Sequence, residues 1–424
     1  MTIAPLHPPP PETKGWCPSL LRPMQSGDGL IARLKPTAAT FRTSDLRPIV
    51  AAAESYGNGH CELTRRGNLQ ARGFDDNGHA ALARVAIEHG LALKHPAAEA
   101  RRTVLSSPLS LKDDPSCAFD AHSFARDLEL AIANADDLAA LPAKFGIAVD
   151  GGGALPISQS GHAPGADITI APLDGRPVLV LAGDADHAAL ITLNRLVADT
   201  LSLMSVFVGA TGPKIRRMSD WVAREGADTV FARAGLTAST IPWRSTQADP
   251  PVGWIQLTGK VGVLVIAAPF GRLLADQLHN LCDLADRYGD GTLRITPWRS
   301  VVLPGVSTEQ AAAATADCRA LGLIIEPDDP RLRIAACAGA PGCQHAHAPA
   351  VQDAERLAGN WNGTGLLHVS GCAKGCAHSG TADVTLIAGR DGYDWIEAGS
   401  VTDPVSEHGL TVDEVSTRLK ETPE

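Results

Sequence analysis

The chain has 424 residues, more than a single hydrophobic core usually organises, so several domains are expected. Its 44% hydrophobic and 20% charged residues are typical of a globular protein, and 41 Gly and 30 Pro indicate many turns rather than a long helical bundle. The net charge of −10 comes without blocks of Lys or Arg, which argues against nucleic acid or an anionic membrane as a partner.

The chain begins with a Pro-rich segment, residues 1–14, that lacks the basic head and apolar centre of a secretory signal. We predict a disordered lead-in there and a cytoplasmic location. The longest apolar run, Val261 to Phe270, is about half of the roughly 20 residues that a membrane span needs, so no span is expected. Nine cysteines in such a chain are expected to be reduced thiols, some of them metal ligands.

An internal repeat organises the chain. The segment YGNGHCELT, residues 56–64, resembles YGDGTLRIT, residues 288–296, at an offset of 232. Each copy follows an Ala/Leu-rich stretch that predicts a helix, Leu46 to Ser55 or Leu273 to Arg287, and the alternating Leu293 to Thr296 predicts a strand. The repeated unit is therefore a helix, a Gly turn and a strand.

A second pair of matched segments, ADIT at residues 166–169 and ADVT at residues 382–385, has an offset of 216. We predict a small α+β unit and a larger α/β unit, each present twice, with boundaries in Pro-rich stretches and pseudo-twofold symmetry. The predicted domains after the lead-in are residues 15–95, 96–240, 241–325 and 326–424. A ligand is expected where loops of both halves converge.

Four cysteines in the second half have the spacing of metal ligands. Cys337 and Cys343 give C-x5-C, and Cys372 and Cys376 give C-x3-C. Iron–sulfur clusters need thiolates, and the intervening Gly and Ala let the backbone wrap closely, whereas structural zinc favours compact C-x2-C pairs. We predict that these four cysteines bind a [4Fe-4S] cluster. The other five are expected to be structural: Cys17, Cys61, Cys117, Cys282 and Cys318.

The first half lacks cysteines at the equivalent places. Residues 102–106 (RTVLS) align with residues 333–337 (RIAAC), and Leu141 to Phe145 aligns with Cys372 to Cys376. One copy is therefore predicted to carry the cluster, and the other to supply cationic groups.

This cysteine pattern on a duplicated chain resembles the sulfite/nitrite reductase superfamily, whose members set a [4Fe-4S] cluster against siroheme through the last cysteine. The resemblance implies an α+β fold with two ferredoxin-like half-domains and two larger α/β domains. The segment IARLK, residues 31–35, resembles the family's segment bearing an active-site arginine, and LTRRGNLQ, residues 63–70, resembles its T-x-R-x-x-x-Q signature.

A tetrapyrrole with many carboxylates demands several cations in one pocket, because each buried carboxylate must be paired. The resemblance implies catalytic roles for Arg33, Arg102 and Lys144. It implies substrate contacts from Arg33, Thr64, Arg66, Gln70, Arg102 and Lys144.

The chain also departs from the reductases. Lys144 and Phe145 are followed by Gly146, where reductases that bind sulfite typically have a second lysine, and the missing charge counts against sulfite reduction. The segments GWCPSLLRPMQSGDGL, residues 15–30, and LPAKFGIAVDGG, residues 141–152, resemble a branch of the superfamily that hydroxylates precorrin-3A at C20 and closes a lactone in the oxygen-dependent cobalamin pathway. There the tetrapyrrole is substrate, and the resemblance implies a mononuclear non-haem iron beside the cluster.

Histidines near the cysteines are the candidates for that second iron, since a 2-His-1-carboxylate site leaves positions open for dioxygen. The candidates are His345, His347, His368 and His378, with Asp383. His378, two residues beyond Cys376, is the first choice.

Three functions stay open. The first is oxygen-dependent hydroxylation of precorrin-3A, which needs dioxygen and a reductant, NADH or a small electron-transfer protein. The second is siroheme-dependent nitrite or sulfite reduction, in which Cys376 would bridge the cluster to a haem. The third is a non-catalytic iron–sulfur electron carrier, which explains neither the duplication nor the basic residues.

Overall fold

The computed structural model describes residues 17–159, 161–184, 186–212, 214–241, 251–361 and 365–421. The predicted lead-in at residues 1–14 and most of the Pro-rich stretch at 241–251 lie outside these ranges. The described residues divide into two compact units, one made of 25–30 and 326–421 and the other of 17–24 and 31–325. Within these ranges, none of the helices has the length and apolar character that a bilayer crossing demands.

Two small α+β half-domains confirm the predicted repeat. The first contains β1 (Met24–Ser26), β2 (Gly29–Leu34), β3 (Thr40–Arg42), α1 (Thr43–Tyr56), β4 (His60–Leu63), β5 (Leu69–Phe74) and α2 (Asp76–Glu88). The second contains β12 (Gly253–Gln256), β13 (Val261–Ala267), β14 (Arg272–Leu274), α8 (Ala275–Tyr288), β15 (Thr292–Ile295), β16 (Ser300–Ser307) and α9 (Ala311–Ala320). The bounds of α1 and α8, and of β4 and β15, differ by the same 232 residues that relate the sequence segments.

The first helix of each half-domain is amphipathic, and its apolar residues recur every three or four positions on the face that packs inward. The buried residues at equivalent positions are Leu46, Ile49, Val50 and Ala53 in α1, and Leu278, Leu281, Cys282 and Ala285 in α8. The same burial pattern therefore fixes both helices on their sheets.

Each half-domain sheet is completed by a strand from the other half. The sheet orders are β1-β2-β5-β4-β14 and β12-β13-β16-β15-β3. Strand β14 sets Arg272 opposite Glu62 of β4, and strand β3 sets Thr40 opposite Arg294 of β15. These two registers are equivalent under the repeat, so the exchange is symmetric. Sequence reasoning missed it, because strands of three residues are too short to show an alternating pattern.

The two larger domains share one sheet design. The first contains α3 (Pro96–Arg101), β6 (Val104–Ser106), α4 (Ala121–Asn134), β7 (Ile147–Val149), β8 (Ile168–Leu173), β9 (Arg176–Leu181), β10 (His187–Leu190), α5 (Leu196–Thr211), α6 (Met218–Glu225), α7 (Ala227–Arg233) and β11 (Ala238–Thr240). The second contains β17 (Ile334–Ala336), α10 (Ala350–Ala358), β18 (Leu367–Ser370), β19 (Ala382–Ala388), β20 (Tyr393–Gly399), β21 (Glu407–Leu410) and α11 (Val412–Glu421). In both, the first three strands are parallel and the strands after them are antiparallel.

This topology corrects two details of the predicted alignment. Strands β6 and β17 occupy the same place, so the residue equivalent to Cys337 is Ser107 rather than Ser106. The equivalence of Leu141–Phe145 with Cys372–Cys376 is wrong, because Phe145 precedes β7 whereas Cys372 follows β18. The loop after β7, residues 150–153, takes the place of the second pair of cysteines. The outer limits of the four predicted domains stay a prediction.

Candidate functional site

An open cleft lies in the unit formed by residues 17–24 and 31–325, with an empty volume of about 860 Å³ that includes the open solvent at its mouth. It is bounded by the amino ends of the parallel strands β6, β7 and β8, by the end of β2 and by the turn between β4 and β5. Its described lining residues include five cations and no Asp or Glu: Arg22, Arg33, Lys35, Arg66 and Arg102. Such a wall favours an anionic ligand.

Arg33 projects from β2 and is held by a chain of polar side chains. Its Nη2 donates to Oε1 of Gln70 at 2.9 Å, and Nε2 of Gln70 donates to Oε2 of Glu62 at 2.8 Å. Burial lowers the pKa of Arg33, and the neighbouring thiol of Cys17 opposes that shift; an arginine remains charged nevertheless. Gln70 itself lies outside the cleft wall. The structure thus gives Gln70 the task of orienting Arg33.

Cys17, expected to be structural, lines the cleft beside the guanidinium groups of Arg33 and Arg66. The other four cysteines of that group are buried, and burial raises the pKa of each of their thiols to about 12. Those four behave as small hydrophobic residues. Cys17 is the exception, and no spacing pattern in the sequence distinguished it.

Arg66 reaches the cleft from a turn that Thr64 closes. The hydroxyl of Thr64 accepts hydrogen bonds from the backbone N–H groups of Arg66 at 3.3 Å and Asn68 at 3.2 Å. Nη2 of Arg66 donates to the carbonyl oxygen of Lys144 at 2.7 Å, which restricts its guanidinium. Thr64 lies outside the cleft wall, so its role in this structure is to shape the turn.

Arg102 lines the cleft, but its guanidinium is occupied. Nη1 donates to Leu91 O and Glu99 Oε2, Nη2 to Lys35 O and Thr37 Oγ1, and Nε contacts Glu129 Oε1 at 3.2 Å. An arginine has five N–H donors, and these acceptors use all of them. The side chains of Glu99 and Arg102 are only 0% and 4% exposed. The structure therefore places Arg102 as a buried clamp between β2, α3 and α4.

Lys144 is exposed and does not line the cleft; only its backbone carbonyl contacts the Arg66 side chain. Gly146, which follows it, does line the cleft. A Cβ atom at Gly146 would lie 2.8 Å from the carbonyl oxygen of Gly165. A second lysine at this position would therefore require the neighbouring loop to move.

The four predicted cluster cysteines lie in the other compact unit, in loops at the carboxyl ends of β17 and β18. These strands are parallel neighbours, so their following loops meet at one edge of the sheet. The backbone N–H of Gly371 donates to Sγ of Cys337 at 3.1 Å. The thiols of all four residues are close enough to interact electrostatically with one another: Cys337, Cys343, Cys372 and Cys376.

The chemistry of this set fits a [4Fe-4S] cluster. Burial raises the pKa of Cys337 and Cys372, and a backbone N–H from Gly371 to the Cys337 sulfur partly offsets the shift. Within the described ranges no three His, Cys, Asp or Glu side chains converge on a single metal ion. A cubane needs no such convergence, because each thiolate binds a different iron and the four sulfurs surround the cluster. The ligand assignment itself stays a prediction.

The candidates for a second iron do not fit one. His378 Nε2 lies 3.1 Å from Thr381 O, and its ring packs edge-on against the buried His368. His345 and His347 are exposed, and a carboxylate oxygen of Asp383 accepts from Leu366 N at 2.8 Å. Among the described residues these groups form no three-ligand site.

Comparisons with known proteins agree with this architecture. The nitrite/sulfite reductase ferredoxin-like half domain matches twice, at residues 22–88 and 255–321. A precorrin-3B synthase from a Sinorhizobium species is 29% identical over 406 residues, covering 91% of this chain and 83% of that protein. A ferredoxin–nitrite reductase from Synechococcus elongatus is 24% identical over 88% of this chain and 79% of its own length. The structure of the NirA protein of Mycobacterium tuberculosis superposes with a TM-score of 0.74 at 19% identity, covering 92% of this chain and 79% of NirA.

The two half-domain matches show that both copies of the repeat are ferredoxin-like half domains of the nitrite/sulfite reductase type, and the proteins that the chain is similar to are oxidoreductases. The fold class of the chain is the predicted duplicated α+β architecture. Over 91% of its length the chain is similar to a precorrin-3B synthase.

Proposed function

We propose that the chain hydroxylates precorrin-3A at C20 and closes a lactone to give precorrin-3B, in cobalamin biosynthesis. The observation that carries this proposal is the cleft lined by five cations and no acid among its described residues. A tetrapyrrole bearing many carboxylates needs such a wall, because each carboxylate taken out of water must be paired. The similarity to a precorrin-3B synthase supports the same ligand class.

Within the cleft, Arg33 and Arg66 are the proposed carboxylate-binding groups. Gln70 and Glu62 orient Arg33, and Thr64 fixes the turn that carries Arg66. Orientation by these neutral or paired partners leaves the guanidinium groups preorganised, which lowers the entropic cost of binding.

In the cysteine site, Cys337, Cys343, Cys372 and Cys376 would hold the [4Fe-4S] cluster, which supplies single-electron transfer when bound. Hydroxylation takes one oxygen atom from dioxygen and releases the other as water, with two electrons and two protons. We propose that NADH or a small electron-transfer protein provides the electrons. No step is assigned to a second iron at His378, since the described residues there do not fit one.

A siroheme-dependent nitrite or sulfite reductase is the second candidate. It is favoured by similarity over most of the chain to a nitrite reductase and to a sulfite reductase from Mycolicibacterium paratuberculosis. The latter is 22% identical over 84% of this chain and 69% of that protein. Against this candidate stands the backbone at Gly146, where a Cβ would press on Gly165 O at 2.8 Å. A lysine next to Lys144, which would give a small inorganic anion a second charge, would therefore require the neighbouring loop to move.

The deciding experiment uses anaerobically purified full-length protein. We expect a brown protein without siroheme bands that, with precorrin-3A, a reductant and ¹⁸O₂, yields a product carrying one labelled oxygen by mass spectrometry. Siroheme at stoichiometric occupancy, with reduction of nitrite or sulfite, would overturn the proposal. A bound cluster without turnover of any of these substrates would leave the electron-carrier function instead.

A further inference from the structure

Lys35 lines the same cleft; it is the last residue of the IARLK segment, but the sequence assigned a role only to Arg33 within it. It follows β2, and its ammonium lies 3.2 Å from Glu99 O and 3.1 Å from Ala100 O, two carbonyls near the end of α3. An ammonium has three N–H donors. Within the described ranges these two carbonyls are its hydrogen-bond acceptors, so one donor remains for a ligand.

The charged groups packed around Lys35 are already committed to one another. Glu99 and Glu129 both contact the Arg102 guanidinium, at 3.2 Å each. Arg102 has no N–H left, and Arg33, near the end of the strand that Lys35 follows, also repels the ammonium. Burial lowers the pKa of Lys35 to about 8, although Glu99 and Glu129 partly oppose the shift. Within the described residues, the charge of Lys35 is therefore not balanced by a direct ion pair at this corner of the cleft.

We propose that Lys35, and not Arg102, binds a carboxylate of the ligand at this corner of the cleft, with Arg102 as the buried support of the Lys35 backbone. This rests on the proposed polycarboxylate ligand and adds a specificity residue to it. Lys35 is cationic below its pKa and neutral above it. Ligand affinity is therefore expected to be highest below pH 8 and to fall as the pH rises beyond it.

The test is a fluorescence titration of the full chain with uroporphyrin, a metal-free tetrapyrrole with eight carboxylates, from pH 6.5 to 9.5. Carboxylates stay ionised throughout this range. Thiols also ionise in the alkaline part, so the series is repeated in a Cys17→Ser background, because Cys17 lines the same cleft. We expect wild-type affinity to fall about tenfold across the range, the effect of losing one charge-assisted hydrogen bond.

Two substitutions separate charge from packing. Lys35→Met is expected to bind about tenfold more weakly at pH 7 and to show a flat pH profile. Lys35→Arg keeps the charge at every pH tested, so it is expected to bind with near wild-type affinity and also without the alkaline decline. Lys94→Met removes an exposed lysine outside the cleft and is the matched control, with wild-type behaviour expected. Circular dichroism verifies that each variant is folded.

The outcomes distinguish the two proposals. A folded Lys35→Met variant with wild-type affinity and a wild-type pH profile would overturn the role of Lys35 while leaving the polycarboxylate cleft intact. Persistence of the alkaline decline in Lys35→Arg would do the same. Failure of the wild type to bind uroporphyrin at any pH would overturn the proposed ligand class, and the role of Lys35 with it.

Discussion

The two half-domains have one backbone design but opposite chemistry on equivalent positions. In the first half these positions are polar: Arg33, Lys35 and Arg66 line the cleft, and Gln70 accepts a hydrogen bond from Arg33. The residues 232 positions later are apolar: Val265, Ala267, Trp298 and Val302. Three of these are buried, and Val265, Val302 and Trp298 pack with Leu109, Cys117 and Leu155 of the first larger domain. One copy of the scaffold thus lines a cleft at positions where the other packs against a neighbouring domain.

The two larger domains differ in a related way. In the first, the N–H of Gly151 donates to Oγ of Ser107 at 3.1 Å, and in the second the N–H of Gly371 donates to Sγ of Cys337 at 3.1 Å. The loop after β7 is held by the buried Asp150, which accepts from the N–H groups of residues 152, 157 and 158. A carboxylate and backbone N–H groups therefore organise in one copy the loop that carries thiols in the other.

The largest expected effect tests this difference between the larger domains. Cys372→Ser is expected to abolish the cluster absorbance near 400 nm and to release iron, because the cubane loses one of its four thiolates. Cys117→Ser, in the other copy, is expected to retain the full signal, since Cys117 is buried against Gly152 O. Iron analysis and visible spectra of anaerobic protein give the answer. A full signal in Cys372→Ser would refute the ligand assignment.

An intermediate effect is expected from Glu62, which the first half uses to orient Gln70 and which also contacts Arg72 and Arg272. Glu62→Gln removes the charge of this acceptor, so we expect a loss of roughly 1–3 kcal/mol in unfolding free energy and several-fold weaker uroporphyrin binding. Denaturant unfolding and fluorescence titration measure the two. Glu309→Gln, at an exposed ion pair, is the control; unchanged affinity in Glu62→Gln would show that Arg33 needs no such support.

The smallest effect is expected from a matched pair of threonines. Thr64 and Thr296 close the same turn, and Thr296 Oγ1 accepts from Ser300 N at 3.2 Å. Thr64→Val and Thr296→Val are each expected to cost about 1 kcal/mol of stability. Only Thr64→Val is expected to weaken uroporphyrin binding, by a few-fold, because its turn carries Arg66 whereas the other carries Trp298. Equal affinity losses in both variants would contradict the division of labour between the halves.

The repeat, the presence of the first helix of each half-domain and the four-cysteine pattern followed from the sequence because each is a regular local signal. The task of Arg102 did not, since its partners Glu99 and Glu129 lie on two different helices and only the fold brings them together. Lys35 and Cys17 were missed for the converse reason. Both lie in segments with a family resemblance, but nothing in those segments assigns either side chain a role, and what distinguishes them is the wall of the cleft in which they lie.

The exchanged strands β3 and β14 make each half-domain depend on the other for a complete sheet. A half-domain by itself would leave the edge of β4 open, and an open edge pairs readily with another chain. A second copy of the same half-domain supplies the required strand in the same register, since both exchanges are equivalent. The two halves of the chain therefore complete each other's sheets in the way that the two subunits of a strand-swapped homodimer would.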